Sequence, residues 1–403
     1  MNDAQPHLTT PSDDDPILLL AKVLTDAAAA VTELAGRITL NDTQPQPTAP
    51  GDDDVPVFLG KVLTDAAAAV TGLAVSVGDR LGLYQAMAGA GPLTAQELAK
   101  HTGTDERYVE QWLHCQVGAG YIAYQPDGDT ATYRLPDSHA EVLADNGSPL
   151  TGIGVFGVLQ ALYRIEDRLV DAFRTGAGIS WGDYPSQLYR GVARFFRPGY
   201  EASIVQSWLP ALDGVTDRLR SGGRVADVGC GVGYSTFVMA DAFPQATFHG
   251  LDSHGESIAA AERTARERNL GNRVSFTANP ASALGTDGSR YDLITFFDCL
   301  HDMGDPTAAL RAARAALSDN GTVMLVEPNT AADPQANDNP VGRLFMALSP
   351  TLCLPGAIAQ HGPVALGNHP GEQTLRQLCT EAGFTHWRRA TQTPVSAVYQ
   401  LRP

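Results

Sequence analysis

Near the middle of its 403 residues the chain reads Arg224-Val225-Ala226-Asp227-Val228-Gly229-Cys230-Gly231-Val232-Gly233-Tyr234-Ser235-Thr236, and the elements on either side fall into place around it. An apolar strand runs into a carboxylate, then into glycines at every second position, then into a helix from about Tyr234. Glycine tolerates the positive φ of a tight strand-to-helix turn and lets a ligand lie against bare backbone. The first turn of the helix directs free N–H groups at the same place. In an open α/β sheet, ligands settle in the crevice at the carboxyl ends of the strands.

A dinucleotide fingerprint reads G-x-G-x-x-G; this stretch reads D-x-G-x-G-x-G. It is similar to motif I of the class I S-adenosylmethionine methyltransferases. The resemblance implies that Asp227 faces the methionine ammonium and that the loop of Gly229, Gly231 and Gly233 passes under the sulfonium arm. Further elements follow at the expected intervals. Ala246-Thr247-Phe248-His249-Gly250-Leu251 predicts a second strand ending at Asp252, where a carboxylate accepts from both ribose hydroxyls, as in dinucleotide sites about 20 residues past the glycines. Ser253 follows on that loop. Arg273-Val274-Ser275-Phe276-Thr277 predicts a third strand, with adenine beside Ala278-Asn279-Pro280-Ala281-Ser282. Many relatives place an Asp there for the adenine amino group. This chain has none, so Asn279, Ser282 or a backbone carbonyl, next to Ala281, is left for the contact.

The fourth strand, Tyr291-Asp292-Leu293-Ile294-Thr295-Phe296, leads into Phe297-Asp298-Cys299-Leu300-His301-Asp302-Met303, with Phe297 and Asp298 on the cofactor edge. This segment resembles the L-H-D-W segment of small-molecule O-methyltransferases, whose His is the general base. The fifth strand, Thr322 to Val326, ends in Glu327, which in those enzymes corresponds to the carboxylate that orients the imidazole. An alcohol or phenol attacking a methyl group must lose its proton, and an imidazole with a pKa near 6.5 can take it at neutral pH. Asp302 reads as structural. Phe384 to Ala390 and Ser396 to Leu401 predict a closing antiparallel pair. The fold class expected is therefore α/β: a Rossmann-like sheet of seven strands, the last antiparallel, behind a mainly helical amino-terminal domain. An insert over 328–371 is rich in Pro, Gly and Asn. Long ordered loops are commonly functional, and its Arg343-Leu344-Phe345-Met346-Ala347-Leu348 predicts a lid helix, with Phe345 and Met346 over the acceptor.

The formal net charge of −17 disfavours nucleic acid or an anionic membrane as partner. Cys115, Cys230, Cys299, Cys353 and Cys379 are odd in number and scattered, with no C-x-x-C, so their spacing suggests neither a disulfide framework nor a metal site. A reducing cytoplasm fits. No signal peptide is read at the start, and the run Ile17 to Leu20 is too short to span a bilayer.

Residues 13–35 recur at 52–74, and Lys22 to Thr32 matches Lys61 to Thr71 residue for residue. Val62, Ala66, Ala69, Leu73 and Val77 keep helical spacing and predict a small-residue face. Two readings stand open: a duplicated helix that packs on a dimer partner, or a dispensable tail. From Gly82 to about Asp145 the pattern is a winged helix-turn-helix. Thr94 and Glu97 form a capping box, Thr104 opens the next helix, Tyr108 and Trp112 read as core, and Gln125 to Asp129 is a hairpin turn. Three bases against six acids between Thr94 and Leu135 make a poor phosphate surface, which points to dimerisation or site closure. Between 150 and 215 the chain is aromatic, and the glycine-broken stretch around Trp181 and Tyr184 is the expected acceptor wall.

Four regions are expected: an acidic extension with the first helix copy (1–50), the second copy with the winged helix (51–150), connecting helices along the acceptor pocket (151–220), and the catalytic domain (221–403). The segments Phe297 to Pro306, Asn339 to Arg343, Ala365 to Gly367 and Arg194 to Tyr200 resemble an actinobacterial family of class I methyltransferases with an amino-terminal winged helix, from about residue 75 onward. That resemblance implies S-adenosylmethionine as cofactor, a small-molecule methyl acceptor and a homodimer formed through the amino-terminal part. N- or C-methylation on the same scaffold, or a cofactor-sensing regulator, are the alternatives.

Overall fold

The computed structural model describes residues 55–403 apart from Asp129 and Pro149. The extension 1–50, with the first copy of the repeated helix, lies outside the described residues. The second copy forms α1 (Val55–Leu81). Then come α2 (Leu83–Met87), α3 (Ala95–Thr102), α4 (Glu106–Gly118), the hairpin of β1 (Ala123–Asp127) and β2 (Thr130–Arg134), and α5 (Asp137–Leu143). Local chemistry explains the boundaries. Thr94 and Glu97 cap α3 reciprocally. It is Asp105, not Thr104, that caps α4, its carboxylate accepting from Arg107 N at 3.1 Å. Trp112 is core as expected, whereas Tyr108 is 79% exposed on the outer face of the same helix.

Within the chain, α1 packs through a face other than its regularly spaced small-residue stripe. Val62, Ala66, Ala69, Leu73 and Val77 all face outward, and the helix packs instead through Gly72, Val75, Ser76 and Gly78. A Cβ on Gly78 would stand 2.4 Å from the Trp112 ring, so only glycine allows this approach. The Trp112 indole N–H donates to Ala74 O at 2.9 Å. Two helical stretches, Val55–Leu81 and Pro340–Ile358, are long and apolar enough to cross a bilayer by length and composition; the second is half buried inside the molecule.

The connecting helices are α6 (Gly154–Tyr163), α7 (Glu166–Thr175), α8 (Gln187–Ser203) and, after a π-helical turn over Ile204–Trp208, α9 (Val215–Arg220). Arg194 on α8 ties them to the amino-terminal helices, donating to Asp79 at 2.9 Å and to Asn146.

The catalytic domain alternates strand and helix: β3 (Arg224–Val228), α10 (Tyr234–Ala242), β4 (Thr247–Asp252), α11 (Gly255–Glu267), β5 (Val274–Ala278), β6 (Tyr291–Phe297), α12 (Pro306–Ala316) and β7 (Leu317–Pro328). The insert carries α13 (Pro340–Leu348), a π-helical turn over Ser349–Cys353, and α14 (Leu354–Ile358). After α15 (Gly371–Glu381) the chain closes with β8 (His386–Gln392) and β9 (Ser396–Arg402). The seven strands lie in the order β5-β4-β3-β6-β7-β9-β8, with β9 antiparallel to both neighbours. β7 begins five residues before the expected Thr322, because Leu317 pairs with Tyr291 across a register irregularity.

The central strands are buried on both faces, as parallel strands between helices must be. Val225, Leu293 and Met324 share one side with α10 and α11. Ala226, Ile294 and Val323 share the other with α12 and α15. The order reverses at β3, between β4 and β6, and that switch point is where the crevice opens.

Candidate active site

A cavity of about 510 Å³ lies over the carboxyl ends of β3, β4 and β6, under the insert and beside α8. Its floor is the glycine loop. Gly229, Gly231 and Gly233 all take positive φ. Nothing stands within 4 Å of the place a Gly231 Cβ would occupy, whereas a Cβ on Gly233 would meet the Phe276 ring at 2.7 Å. Gly231 thus leaves room for a ligand, and Gly233 serves packing. Asp252, at the end of β4, accepts from Gly231 N at 2.9 Å through one oxygen and from His254 N at 2.8 Å through the other. It fixes the loop and still has lone pairs toward the cavity.

At the end of β6, Asp298 sits at φ 48°, its N–H donating to Val326 O at 2.9 Å. One carboxylate oxygen accepts from Tyr200 OH at 2.9 Å, and the other is buried without a hydrogen-bond partner. Burial, and then the nearby Glu327 carboxylate, push its pKa up to about 7. The next turn, Leu300–Asp302, carries His301, whose Nδ1 lies 2.6 Å from Glu327 Oε2. The other Glu327 oxygen accepts from Leu300 N at 3.1 Å. Both side chains are buried. Burial alone would depress the His301 pKa, but the carboxylates of Glu327 and Asp302 outweigh it and hold it well above the ordinary 6.5.

The opposite wall is apolar. Val158, Trp181 and Tyr189 meet Phe345, Leu348 and Leu352 from the insert. The insert is anchored to the His301 turn, since Gly304 N donates to Gln360 Oε1 at 3.2 Å and Val364 N to Gly304 O at 3.1 Å.

Of the residues expected at the site, Gly229, Gly231, Asp252, Ser253, Asn279, Ala281, Phe297, Asp298, His301, Trp181 and Phe345 all line this one cavity. Four others do not. Asp227 is 1% exposed, and its oxygens accept from Ser235 and Thr236 at 2.6 Å and from Thr295 at 2.9 Å. It buttresses the loop from beneath and does not line the cavity, and burial raises its pKa. Gly233 packs on Phe276. Tyr184 is buried, its hydroxyl donating to Thr351 O at 3.4 Å. Met346, half-buried on α13, does not line the cavity. Glu327 stands behind His301, 2.6 Å from its Nδ1. Tyr189, Tyr200, Asp302 and Cys353 were missed as site residues. Tyr200 lies in an aromatic run with no spacing that sets it apart. Cys353 lies 52 positions after His301, in the insert.

An unpartnered carboxylate oxygen, a bare glycine floor and a ring-lined wall fit a ligand that has a cationic end and lies against the loop. The comparisons agree. Residues 219–381 match a model described as a methyltransferase domain, and residues 68–145 match an Rv2258c-like winged HTH domain. A ubiquinone biosynthesis O-methyltransferase of Bordetella avium is 32% identical over 197 residues, spanning 48% of this chain and 74% of that protein. Human N-acetylserotonin methyltransferase, solved in complex with S-adenosylmethionine, superposes with a TM-score of 0.61 at 18% identity, covering 88% of this chain and 99% of that one. An O-methyltransferase family protein from Burkholderia thailandensis gives 0.60 at 16%, covering 86% and 97%.

Proposed function

The chain belongs to the S-adenosylmethionine-dependent methyltransferases, and from that premise we propose that it methylates an oxygen of a small apolar or aromatic acceptor, with His301 as general base. The observation that carries the proposal is the Glu327–His301 pair at 2.6 Å, set between the glycine loop and the aromatic wall. When bound, S-adenosylmethionine supplies an electrophilic methyl group on a sulfonium. The chain does the rest. Asp252 takes the ribose hydroxyls, Ser253, Asn279 and Ala281 border the adenine, and Phe297 and the free Asp298 oxygen receive the cationic amino-acid end. The arrival of a cation at Asp298 favours its ionised form. Glu327 accepts a hydrogen bond from Nδ1–H and so leaves the Nε2 lone pair for the acceptor's hydroxyl proton. Trp181 and Phe345 flank the acceptor, and much of the rate comes from holding two reactants in line.

The pH dependence tests the base. The imidazole accepts a proton only in its neutral form, and its flanking carboxylates favour the protonated form. Turnover of an oxygen acceptor, measured with a chelator present, should therefore rise with pH through a limb that lies above 6.5. Glu327→Gln removes one carboxylate and should move that limb down. A wild-type limb at or below 6.5 would count against His301 as base.

The same reading includes a homodimer formed through α1, in the cytoplasm, without nucleic acid or membrane as partner. Val57, Phe58, Val62, Leu73 and Val77 are exposed along this helix, and an apolar stripe of that length is usually covered. The winged helix offers few free cations: Arg107, on α4, is paired with Asp105. Five free cysteines among the described residues suit a reducing compartment. Val62→Asp with Leu73→Asp should convert a dimer to a monomer in sedimentation equilibrium. An unchanged mass would place the contact elsewhere.

A further inference from the structure

His301 has a second nitrogen, and its surroundings are unusual for a base that must take a proton from a substrate. Nε2 lies 3.3 Å from Asp302 Oδ1. That oxygen is buried and makes no hydrogen bond among the described residues. Cys353 reaches the same spot from the insert, because the π-helical turn over Ser349–Cys353 sets it against the His301 turn. Turns of this kind in a helix often mark functional positions. The imidazole nitrogen, the Asp302 oxygen and the Cys353 sulfur all lie within 4.8 Å of one another.

Nitrogen, oxygen and sulfur donors at one point form a ligand set for a divalent ion of intermediate softness. Zinc takes such ligands at about 2.0–2.3 Å, so the donor atoms around one ion stand roughly 3–4 Å apart. The His301 Nε2 and Asp302 Oδ1 atoms, 3.3 Å apart, already stand at that spacing, and the Cys353 sulfur lies within 4.8 Å of both. The outer shell is also in place. A histidine bound to zinc usually donates its other N–H to a carboxylate, and His301 Nδ1 has Glu327 at 2.6 Å. All three residues line the cavity, the side from which water or a ligand can complete the coordination.

We propose that His301, Asp302 and Cys353 form a binding site for zinc-type divalent cations, and that occupation of this site inhibits the enzyme. On binding, the metal–sulfur bond replaces the Cys353 S–H bond and its proton leaves to solvent. Asp302 gives a carboxylate oxygen, and Nε2 gives the lone pair that would otherwise accept the substrate proton. The inhibition rests on His301 being the base; the binding does not. The metal is not needed for turnover, and a chelator restores it.

Cobalt(II) is the probe, because a thiolate ligand gives it a strong near-ultraviolet charge-transfer absorption. Titrating the full-length, chelator-treated protein should produce that band with one equivalent per chain, and zinc should abolish it by displacement. Cys353→Ser should remove the band, whereas Cys379→Ser, at a buried thiol outside the cavity, should leave it. Asp302→Asn should weaken cobalt binding at least tenfold while keeping the band. In assays, zinc should inhibit the wild type at concentrations at least tenfold below those needed for Cys353→Ser. No band, or a band that survives Cys353→Ser, would overturn the site. A band without zinc inhibition would leave the site standing and overturn both the inhibition and the role of His301 as base.

Discussion

Replacing His301 by alanine is expected to lower methyl transfer to an oxygen acceptor by roughly 10²-fold or more, while S-adenosylmethionine binds as before. The separation follows from position. His301 sits on the Leu300–Asp302 turn after β6, and its hydrogen bond runs to Glu327, not to the glycine loop or to Asp252. On the proposed reading, removing it takes away the proton acceptor and leaves the cofactor edge intact. The substitution also leaves a buried Glu327 oxygen without its imidazole partner, although the other still holds Leu300 N. Some loss of stability is therefore expected, since an uncompensated buried charge is costly. His301→Gln restores a donor to Glu327 without restoring a base, so it should recover stability and not turnover. Single-turnover rates and thermal unfolding of both variants separate the two effects. Full turnover by His301→Ala would end its role as base.

Asp252→Ala is expected to weaken S-adenosylmethionine at least tenfold, about 1.4 kcal/mol. Asp252 does two things at once. On the proposed reading its remaining lone pairs take the ribose, and its two oxygens already hold Gly231 N and His254 N. Alanine removes the ribose contacts and leaves both backbone donors without their acceptor, so the floor under the ligand loosens as well. Asp252→Asn keeps one carbonyl oxygen and should lose less. Titration calorimetry with S-adenosylhomocysteine measures both, free of turnover. Unchanged affinity would remove Asp252 from the site.

The catalytic sheet was legible because four of its seven strands are apolar runs with a carboxylate at or beside the carboxyl end: Asp227, Asp252, Asp298 and Glu327. The glycine spacing identified the turn, and a carboxylate at a strand end identified the edge of the crevice. Depth was not legible. Asp227 and Asp252 look alike in sequence, but Ser235, Thr236 and Thr295 close over the first and leave the second open. That difference arises from where helix α10 and strand β6 bring their hydroxyls. The contact that α1 makes within the chain was not legible for a related reason. Helical spacing marks the apolar stripe, yet Gly72 and Gly78 decide the contact within the chain, because lacking a Cβ lets Phe156 and Trp112 approach the helix. Cys353 could not be placed beside His301 without knowing how the insert folds back, since no short-range pattern joins them.

Calorimetric titration of the full chain with S-adenosylmethionine and S-adenosylhomocysteine, repeated on Asp252→Ala and His301→Ala, tests the assignment of the cavity most directly. The expected result is micromolar binding of both ligands at one site per chain, weakened by Asp252→Ala and unaltered by His301→Ala. No binding by the folded protein, or a loss on His301→Ala with none on Asp252→Ala, would contradict it.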